Sequence, residues 1–435
     1  MSSKSMKRWL PCQAACEMAG SANFFLSIRD SAVLIHGPRW CSSIASAEMA
    51  AIEKKYERQF YCSEVRQADL VFGASEEIIQ GLTEIKDEAH PSLTAVLNSC
   101  AVSLIGDDLE GVCRHAHLPG LILTMDSGGL RGEFTTGYVR AMKKLLETVS
   151  FVKEKRIPHS VNIIGWSTAY PGWQGNLAEI RRMLEKIGVS LHGVLGNDGM
   201  SLTDVAHLPE AELNLVLYPE LGLGGAQWLK ENTGTPYAVL PIPYGLTGSR
   251  RWLSQVAEAL AMTPDWEDID EEIRYRQGKI DLATFRLKGN NRNFIFGDVY
   301  AALTEGMARG LVPALLSEFP DMGDIHLRWE GPHTMEKIEG TLPWVPFEKI
   351  SIPEGELALV LGNTNTRQEV GHYRQAIYKN ILTPCVTLTV PEKCYAGFAG
   401  WQFFLSDIFT DFYTLGYMGN GNCQSMMQGS FESGD

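Results

Sequence analysis

Short apolar runs that end in glycine-bearing or polar loops recur along the chain. Eight such runs are rich in Val, Ile and Leu, which is typical of parallel strands covered by helices on both faces. Each run leads into a turn and a helical stretch, the spacing of doubly wound α/β proteins. The runs are residues 32–37, 68–75, 93–100, 121–129, 161–167, 213–220, 293–298 and 357–366. The pattern predicts an α/β protein of three Rossmann-like domains, each a parallel sheet flanked by helices.

Two polar segments interrupt this series and predict joints between domains. Residues 154–160 follow a long helical stretch and precede a new strand, and residues 274–293 carry Gly and Asn before another strand. The chain has 435 residues, whereas one domain usually contains about 100–200. We therefore expect a cluster-binding first domain over residues 1–155, a second over 156–285 and a third, with a C-terminal tail, over 286–435.

Composition and charge exclude several classes of function. Hydrophobic residues make up 45% of the sequence and charged residues 21%, the balance of a globular protein. The net charge of −14 argues against nucleic-acid binding, because no basic surface offsets phosphate repulsion. No run approaches the ~20 apolar residues that cross a bilayer, and no apolar segment of a secretory signal follows the N-terminal charges. We expect a cytoplasmic protein that binds neither nucleic acid nor membrane.

Three of the nine cysteines lie in glycine-bearing loops of the first hundred residues. Cys16 lies in CEMAGS, Cys41 in HGPRWC and Cys100 in NSCAVSLIGDD. A disulfide framework is disfavoured where thiols stay reduced, so metal ligation or burial must account for these residues. Soft thiolates from several loops suit an iron–sulfur cluster, and three from one chain leave its ligand set incomplete. The alternative is that each is a buried small apolar residue, the commonest role of a free cysteine.

In their order and spacing, these three segments resemble the cysteine motifs of the nitrogenase component 1 family. The resemblance extends over nearly the whole chain, through YPGWQGNLAEIRRMLEKIGVSL, LNLVLYPELGLGGAQWLKENTGTPYAVLPIPYGLTGSRRWL and FIFGDVYAALTEGMARGL. It is closer to the β-type and scaffold-type members. The resemblance implies that Cys16, Cys41 and Cys100 bind a cofactor as its metal ligands. That cofactor would be an iron–sulfur cluster shared with a partner subunit, either [4Fe-4S] or [8Fe-7S] and P-cluster-like.

The resemblance also implies partners and an activity. The chain would pair with a homologous nitrogenase-like subunit as a heterodimer or heterotetramer, and would receive electrons from an ATP-dependent iron–sulfur reductase similar to an iron protein. It would be an oxidoreductase subunit that relays those electrons to an active site in, or shared with, the partner. The alternatives are a scaffold for assembling a nitrogenase-type metal cofactor and a metal-free structural or regulatory subunit. The substrate stays open between dinitrogen-like, tetrapyrrole and organosulfur compounds.

The chain departs from the catalytic α-type members of that family at several positions. In those members a cysteine that anchors the iron–molybdenum cofactor follows one strand, whereas this chain has Tyr-Pro-Glu at 218–220. The cofactor's histidine should precede YAGFAGW, but that stretch contains only Cys385 and Cys394 as candidate ligands. A serine that supplements the cluster in some β-type members falls at Gly129, near Ser127. We therefore expect a β-type role or a reductase with another substrate, not nitrogen fixation by this chain alone.

The remaining cysteines receive simpler interpretations. Cys12, four residues before Cys16, is expected to be a spare thiol, with a replacement ligand as the alternative. Cys62 and Cys113 lie in no matching motif and are expected to be structural. Cys423 lies in a polar tail and is expected to be an exposed thiol.

Overall fold

The structure is a computed structural model. It describes residues 16–104, 106, 108–115, 120–129, 132–152, 155–290, 295–319, 322–353, 356–370, 375–382 and 394–419. Cys12, Cys385 and Cys423 therefore lie outside the described residues. The chain forms two compact units, of which the first comprises Met1–Phe151, Ser167–Ala169 and Gly196–His207 and the second comprises the rest.

The first unit is built on one four-stranded parallel sheet. Its strands and helices are α1 (Glu17–Leu26), β1 (Ser31–His36), α2 (Arg39–Ile52), β2 (Phe60–Cys62), α3 (Asp69–Phe72), α4 (Ser75–Glu88), β3 (Leu93–Asn98), α5 (Cys100–Ser103), α6 (Leu109–His115), β4 (Leu121–Met125) and α7 (Phe134–Thr148). The strands lie in the order β2-β1-β3-β4, and all neighbours are parallel. Their carboxyl ends therefore meet along one edge of the sheet, where ligands of such folds bind.

Helices cover both faces of this sheet. Ala32 and Leu34 of β1 pack in an apolar cluster with Ile78 and Leu82 of α4. On the opposite face every residue of α1 is buried. α1 crosses α7 at very short range, since a Cβ at Gly20 would lie 1.9 Å from the Phe134 carbonyl oxygen. This close crossing holds α1 at the sheet, with its first residue next to Cys16.

The second unit contains two further parallel sheets. The elements between the first unit and residue 290 are β5 (Ile157–Ile164), α8 (Trp173–Lys186), β6 (Ser190–Leu195), α9 (Leu202–Ala206, in a segment of the first unit), β7 (Ala211–Val216), α10 (Pro219–Thr233), β8 (Tyr237–Val239), α11 (Leu246–Ala259) and α12 (Glu267–Asn290). Those that follow are β9 (Ile295–Leu303), α13 (Glu305–Glu318), β10 (Ile325–Trp329), β11 (Thr341–Pro343), β12 (Glu356–Gly362), α14 (Thr364–Val370), β13 (Ala376–Asn380) and α15 (Gly397–Gly419). The two sheets have the orders β6-β5-β7-β8 and β11-β10-β9-β12-β13.

The α/β class with parallel sheets flanked by helices, predicted from the apolar runs, is confirmed. The boundaries of the three expected domains stay a prediction. In the part of the chain that is described, no helix combines the length and apolar character needed to cross a membrane.

One predicted strand is wrong. Residues 68–75 form α3 and the start of α4 instead, and Gly73, at φ 94°, ends α3. Val71 and Phe72 are 76% and 88% exposed, which a strand covered on both faces does not allow. The edge position of the sheet belongs to β2, whose three residues are too few to show a period in the sequence.

Candidate metal centre

Cys16 lies at the start of α1, where it is the N-cap residue with an extended backbone. A single antiparallel bridge pairs it with Glu133, which immediately precedes α7. Burial raises the pKa of the Cys16 thiol, while hydrogen bonds from the backbone N–H groups of Ala19 and Met18 act in the opposite direction. The sulfur is thus desolvated, yet it faces donors that would stabilise a negative charge.

Cys100 is the first residue of α5, directly after β3. The backbone N–H of Gly129 donates a hydrogen bond to its Sγ at 3.0 Å. Gly129 also faces Cys16, because a Cβ at this position would lie 2.9 Å from the Cys16 Cβ and 3.5 Å from the Cys100 Sγ. A side chain here would collide with Cys16, so glycine allows the backbone, with its N–H donor, to approach both cysteines closely.

Cys41 lies in the first turn of α2, with its Sγ 4.0 Å from the Met18 Sδ. Burial, followed by the neighbouring thiols of Cys16, Cys100 and Cys62, raises the pKa of Cys41 to about 11. The three cysteines that the sequence singles out therefore lie in one neighbourhood at the carboxyl edge of the sheet. Their role as ligands stays a prediction.

A fourth thiol, which the sequence suggested only as a structural residue, lies at the same edge. Cys62 ends β2, and its Sγ lies 3.6 Å from the carbonyl oxygen of Gly37. It also receives the backbone N–H of Glu64 at 3.4 Å. No glycine-bearing motif surrounds Cys62, and β2 is too short to show a period, so no signal in the sequence indicated this placement.

Polar contacts join the helices that carry Cys16 and Cys100. Glu17 is completely buried and forms an ion pair with Arg140 of α7. Arg140 also donates to the backbone carbonyl of Asp126 at 3.1 Å. The Asp126 carboxylate accepts the hydroxyl of Ser103, the last residue of α5, at 2.5 Å. The Glu17–Arg140 ion pair and the hydrogen bonds at Asp126 therefore help to hold the Cys16 and Cys100 thiols in position.

These residues fit a polynuclear iron–sulfur cluster. Within the described ranges, no three His, Cys, Asp or Glu side chains are close enough to hold a single metal ion. A cluster of several irons spans wider gaps and takes thiolates as ligands, with backbone N–H groups on its sulfurs tuning its potential. The thiol donors and the Gly129 N–H, which approaches the Cys100 sulfur because no side chain intervenes, supply these groups.

The end of β7, where the α-type members carry their cofactor cysteine, is filled by aromatic side chains. The buried Tyr218 ring lies 4.7 Å from that of Tyr170 and 5.6 Å from that of Trp166, between centroids. α13 also approaches closely, because a Cβ at Gly306 would lie 2.6 Å from the Leu217 carbonyl oxygen. Cys394, the thiol nearest to YAGFAGW, is buried, and burial raises its pKa to about 11.

Glu220, in the first turn of α10, is a buried acid next to this aromatic group. Its Oε2 accepts the backbone N–H of Gly306 at 3.0 Å, and its Oε1 accepts the Tyr170 hydroxyl at 3.4 Å. Burial raises the pKa of Glu220 above its ordinary value. Burial that disfavours the charged form of this carboxyl is consistent with dense packing rather than with an open ligand site.

Replacing Arg140 with Met should destabilise the first unit. The Glu17 carboxylate would stay buried without its cation, and its Oε2 already lacks a hydrogen-bond partner among the described residues. Because Arg140 is itself half-exposed, we expect a loss of about 2 kcal/mol in unfolding free energy rather than the full cost of breaking a buried pair. Urea unfolding measures the loss.

The matched control is Lys143→Met on the same helix, whose ion pair with Glu147 is exposed. This change should cost about 0.5 kcal/mol or less. Equal losses in the two variants would contradict the structural role given to Arg140. Adding Glu17→Gln to Arg140→Met should recover part of the loss, because the uncompensated charge is then removed.

Replacing Glu220 with Gln should weaken the dependence of stability on pH. In the wild-type chain the folded state keeps the Glu220 proton at pH values where the unfolded state has lost it. Stability is therefore greatest below the ordinary pKa of 4.5 and falls as the pH rises towards the raised folded pKa. The slope contributed is about 1.4 kcal/mol per pH unit in that window.

Urea unfolding of wild type and Glu220→Gln between pH 4.5 and 8 measures this difference. The variant should gain stability relative to wild type as the pH rises. Glu231→Gln, on the exposed surface of the same helix, is the control and should change little. A constant difference between wild type and Glu220→Gln across the pH range would refute a raised pKa for this buried carboxyl.

Comparison with known proteins identifies the family. Residues 16–412 match the family model described as nitrogenase component 1 type oxidoreductase. The chain is 25% identical over 302 residues to the nitrogenase iron-molybdenum cofactor biosynthesis protein NifE of Clostridium pasteurianum, a match that covers 67% of this chain and 64% of that protein. It is 26% identical over 300 residues to a subunit of the light-independent protochlorophyllide reductase of Chlorobium chlorochromatii, a match that covers 65% of this chain and 54% of that protein. The chain thus spans less than two thirds of the length of these relatives.

A solved structure titled "Nitrogenase Cp1 at pH 6.5" superposes with a TM-score of 0.71 at 16% identity, covering 92% of each chain. At this identity the similarity supports the fold alone. Proteins of the matched family bind iron–sulfur clusters, the kind of cofactor that the gathered thiols fit. The family match, which covers most of the sequence, shows that this chain belongs to the nitrogenase component 1 type oxidoreductases.

Proposed function

We propose that this chain is the electron-delivering subunit of a nitrogenase-like two-component reductase. Cys16, Cys41 and Cys100 would hold an iron–sulfur cluster near an interface with a homologous subunit. The chain would receive single electrons from an ATP-dependent iron–sulfur reductase and relay them to an active site in, or shared with, that partner. The observation that carries the proposal is that Cys16 and Cys100 both lie against Gly129, with the thiol of Cys41 close enough to both to be affected by them.

The chain's own groups have defined tasks in this role. When bound, the cluster supplies one-electron transfer. Each thiol must lose its proton to bind iron, and the raised pKa of Cys41 means that its proton leaves only as iron takes its place. The Gly129 N–H, donated to the Cys100 sulfur, stabilises negative charge there and so helps to set the potential.

Exposed apolar side chains near the thiols support a partner subunit. Trp40 and Ile44 lie on α2 with Cys41, and Leu104, which follows α5, is 78% exposed. Val71 and Phe72 of α3 are exposed as well. Apolar surface concentrated in one region of a protein usually marks an interaction site, since its burial favours association. A homologous subunit that covers this surface, in a heterodimer or heterotetramer, is therefore part of the proposal.

The second candidate is a scaffold on which a nitrogenase-type metal cofactor is assembled. It is favoured by the similarity to a cofactor biosynthesis protein. The two roles need the same thiols but differ in what leaves the chain: electrons in a reductase subunit, a metal cluster in a scaffold. The proposal also includes a cytoplasmic location, the division into three domains, and a cluster of either the [4Fe-4S] or the [8Fe-7S] type.

The proposal predicts bound iron that depends on Cys100. Protein purified without oxygen, together with any subunit that copurifies, should contain iron and sulfide at about two to four iron atoms per chain. It should also give an EPR signal on reduction. Cys100→Ala should lose more than half of this iron, whereas Cys394→Ala, a buried cysteine of the second unit, should keep it. Iron content unchanged by Cys100→Ala, or no iron in the intact protein, would refute the proposed centre.

The same material separates a reductase from a scaffold. Mixed with an iron protein-type reductase and ATP, a reductase subunit should be reduced repeatedly while keeping its iron. A scaffold should instead transfer iron to a metal-free acceptor protein.

The partner surface predicts that Phe72→Asp weakens assembly. Losing one buried Phe costs about 1.5–3 kcal/mol, which corresponds to at least tenfold weaker association. Sedimentation velocity of the copurified complex measures this change. Phe403→Asp, at a residue that is 56% exposed on α15, is the control. A complex that survives both Phe72→Asp and Trp40→Asp would show that the partner does not cover this surface.

A further inference from the structure

A groove in the second unit lies between α11 and α13. The wall formed by α13 is mostly small or apolar and includes Gly310, Pro313 and Ala314. A Cβ at Gly245, just before α11, would lie 3.0 Å from the Cβ of Ala314, so the floor of the groove is tightly packed. The wall formed by α11 carries polar groups on one helix face, at residues 247, 248, 251, 252 and 255. A few polar groups facing an apolar wall are typical of sites for small molecules.

The N-terminus of α11 opens into this groove. Gly245 is its N-cap residue and has no side chain to accept the first N–H groups. The backbone N–H groups of Thr247 and Gly248 have no acceptor among the described residues. A Cβ at Gly248 would meet nothing within 4 Å, so space beside these donors is open. Free N–H groups and the helix dipole both favour an anion at this point.

Arg251 lies one turn further along the same face. It is exposed and forms no ion pair within the part of the chain that is described, whereas its neighbour Arg250 pairs with Asp270. Arg309, on the opposite wall, is already paired with Glu305. Arg251 is therefore the uncompensated cation of the groove, and a guanidinium binds a carboxylate or phosphate through two parallel hydrogen bonds.

Trp252 provides an independent sign of a ligand. The residue lines the groove and is only 1% exposed, yet its indole N–H has no acceptor among the residues that the structure describes. Buried donors are nearly always paired, and an unpaired one costs free energy. An acceptor bound in the groove would recover that cost.

Glu318 is an acid on the wall of the groove. Burial raises the pKa of its carboxyl group and so disfavours the negative charge, while the Leu246 N–H acts in the opposite direction. Glu318 therefore faces the first donor of α11 and leaves those of Thr247 and Gly248 to a ligand.

We propose that this groove binds a small molecule through a carboxylate or phosphate group. Arg251 pairs with that group, the N–H groups of Thr247 and Gly248 donate to it, and Trp252 supplies a further donor. The inference goes beyond the proposed function, because the thiols lie in the first unit and binding in this groove requires no cluster.

Isothermal titration calorimetry of the full chain, with any subunit that copurifies, tests the inference. Inorganic phosphate and succinate are titrated separately at constant ionic strength. We expect one site per chain for at least one of them, and the probe that binds shows whether the group recognised is phosphate or carboxylate. Arg251→Gln should weaken this binding at least tenfold, because charge-assisted hydrogen bonds are lost. Arg274→Gln, an exposed arginine of α12, is the matched control and should bind as wild type does.

Trp252→Phe gives a second readout, because it keeps an aromatic ring but removes the N–H. Binding should weaken about threefold to tenfold, the usual effect of one hydrogen bond. Urea unfolding with and without the bound probe measures the stability that the probe adds, and this increment should be smaller in Trp252→Phe than in wild type. Comparing increments removes any cost that the smaller ring imposes on the free chain.

Three results would overturn the inference. The first is no binding of either probe to the folded wild-type chain, and the second is equal binding by wild type and Arg251→Gln. The third is equal weakening by Arg251→Gln and Arg274→Gln, which would indicate general attraction of anions to surface charge. Each leaves the proposed function standing, because the iron content of Cys100→Ala tests that function separately.

Discussion

The parallel alignment of the first sheet is the constraint on which the candidate centre depends. Hydrogen bonding in register places the carboxyl ends of β2, β1, β3 and β4 side by side, about 4.8 Å apart. Cys62 is the last residue of β2, and Cys41, Cys100 and Gly129 follow the ends of β1, β3 and β4. Residues far apart in sequence are thereby gathered by backbone geometry alone, and the apolar strands that hold them need no contact with metal to form.

Gathering thiols in a partly buried place has an energetic cost that the surrounding polar groups offset. Burial raises the pKa of Cys16 and Cys41, so both are protonated at neutral pH in the absence of a metal. Binding of iron then replaces protons rather than neutralising charges already present. The ion pair of Glu17 and Arg140 and the bond from Ser103 to Asp126 support the helices from outside the thiol group. The fold can therefore exist in advance of the cluster that we propose.

The sequence predicted the fold class and seven of the eight proposed strands because long apolar runs with glycine-bearing ends carry a strong pattern. It failed at the edge of the first sheet. Residues 68–75 resemble a strand in composition, yet Gly73 ends a helix there, and Val71 and Phe72 face solvent. β2 has three residues, and neither its existence nor the placement of Cys62 could be read from a period. The motif cysteines were found through their flanking segments, whereas Cys62 reaches the same edge only through strand order, a property of the tertiary structure.

The second unit limits where chemistry can occur within this chain. Substituting cysteine for Tyr218 would restore the missing thiol but would not open a cofactor site. Tyr170 and Trp166 pack against this position, and Gly306 lies against the preceding carbonyl. Glu220 is held by two hydrogen bonds in the same packed region. A bulky cofactor would have to displace several buried aromatic rings, each with a burial free energy of about 1.5–3 kcal/mol. In the role that we propose, the substrate would therefore bind in the partner or at the surface that the partner completes, and the thiols of the first unit would be the route by which electrons reach it.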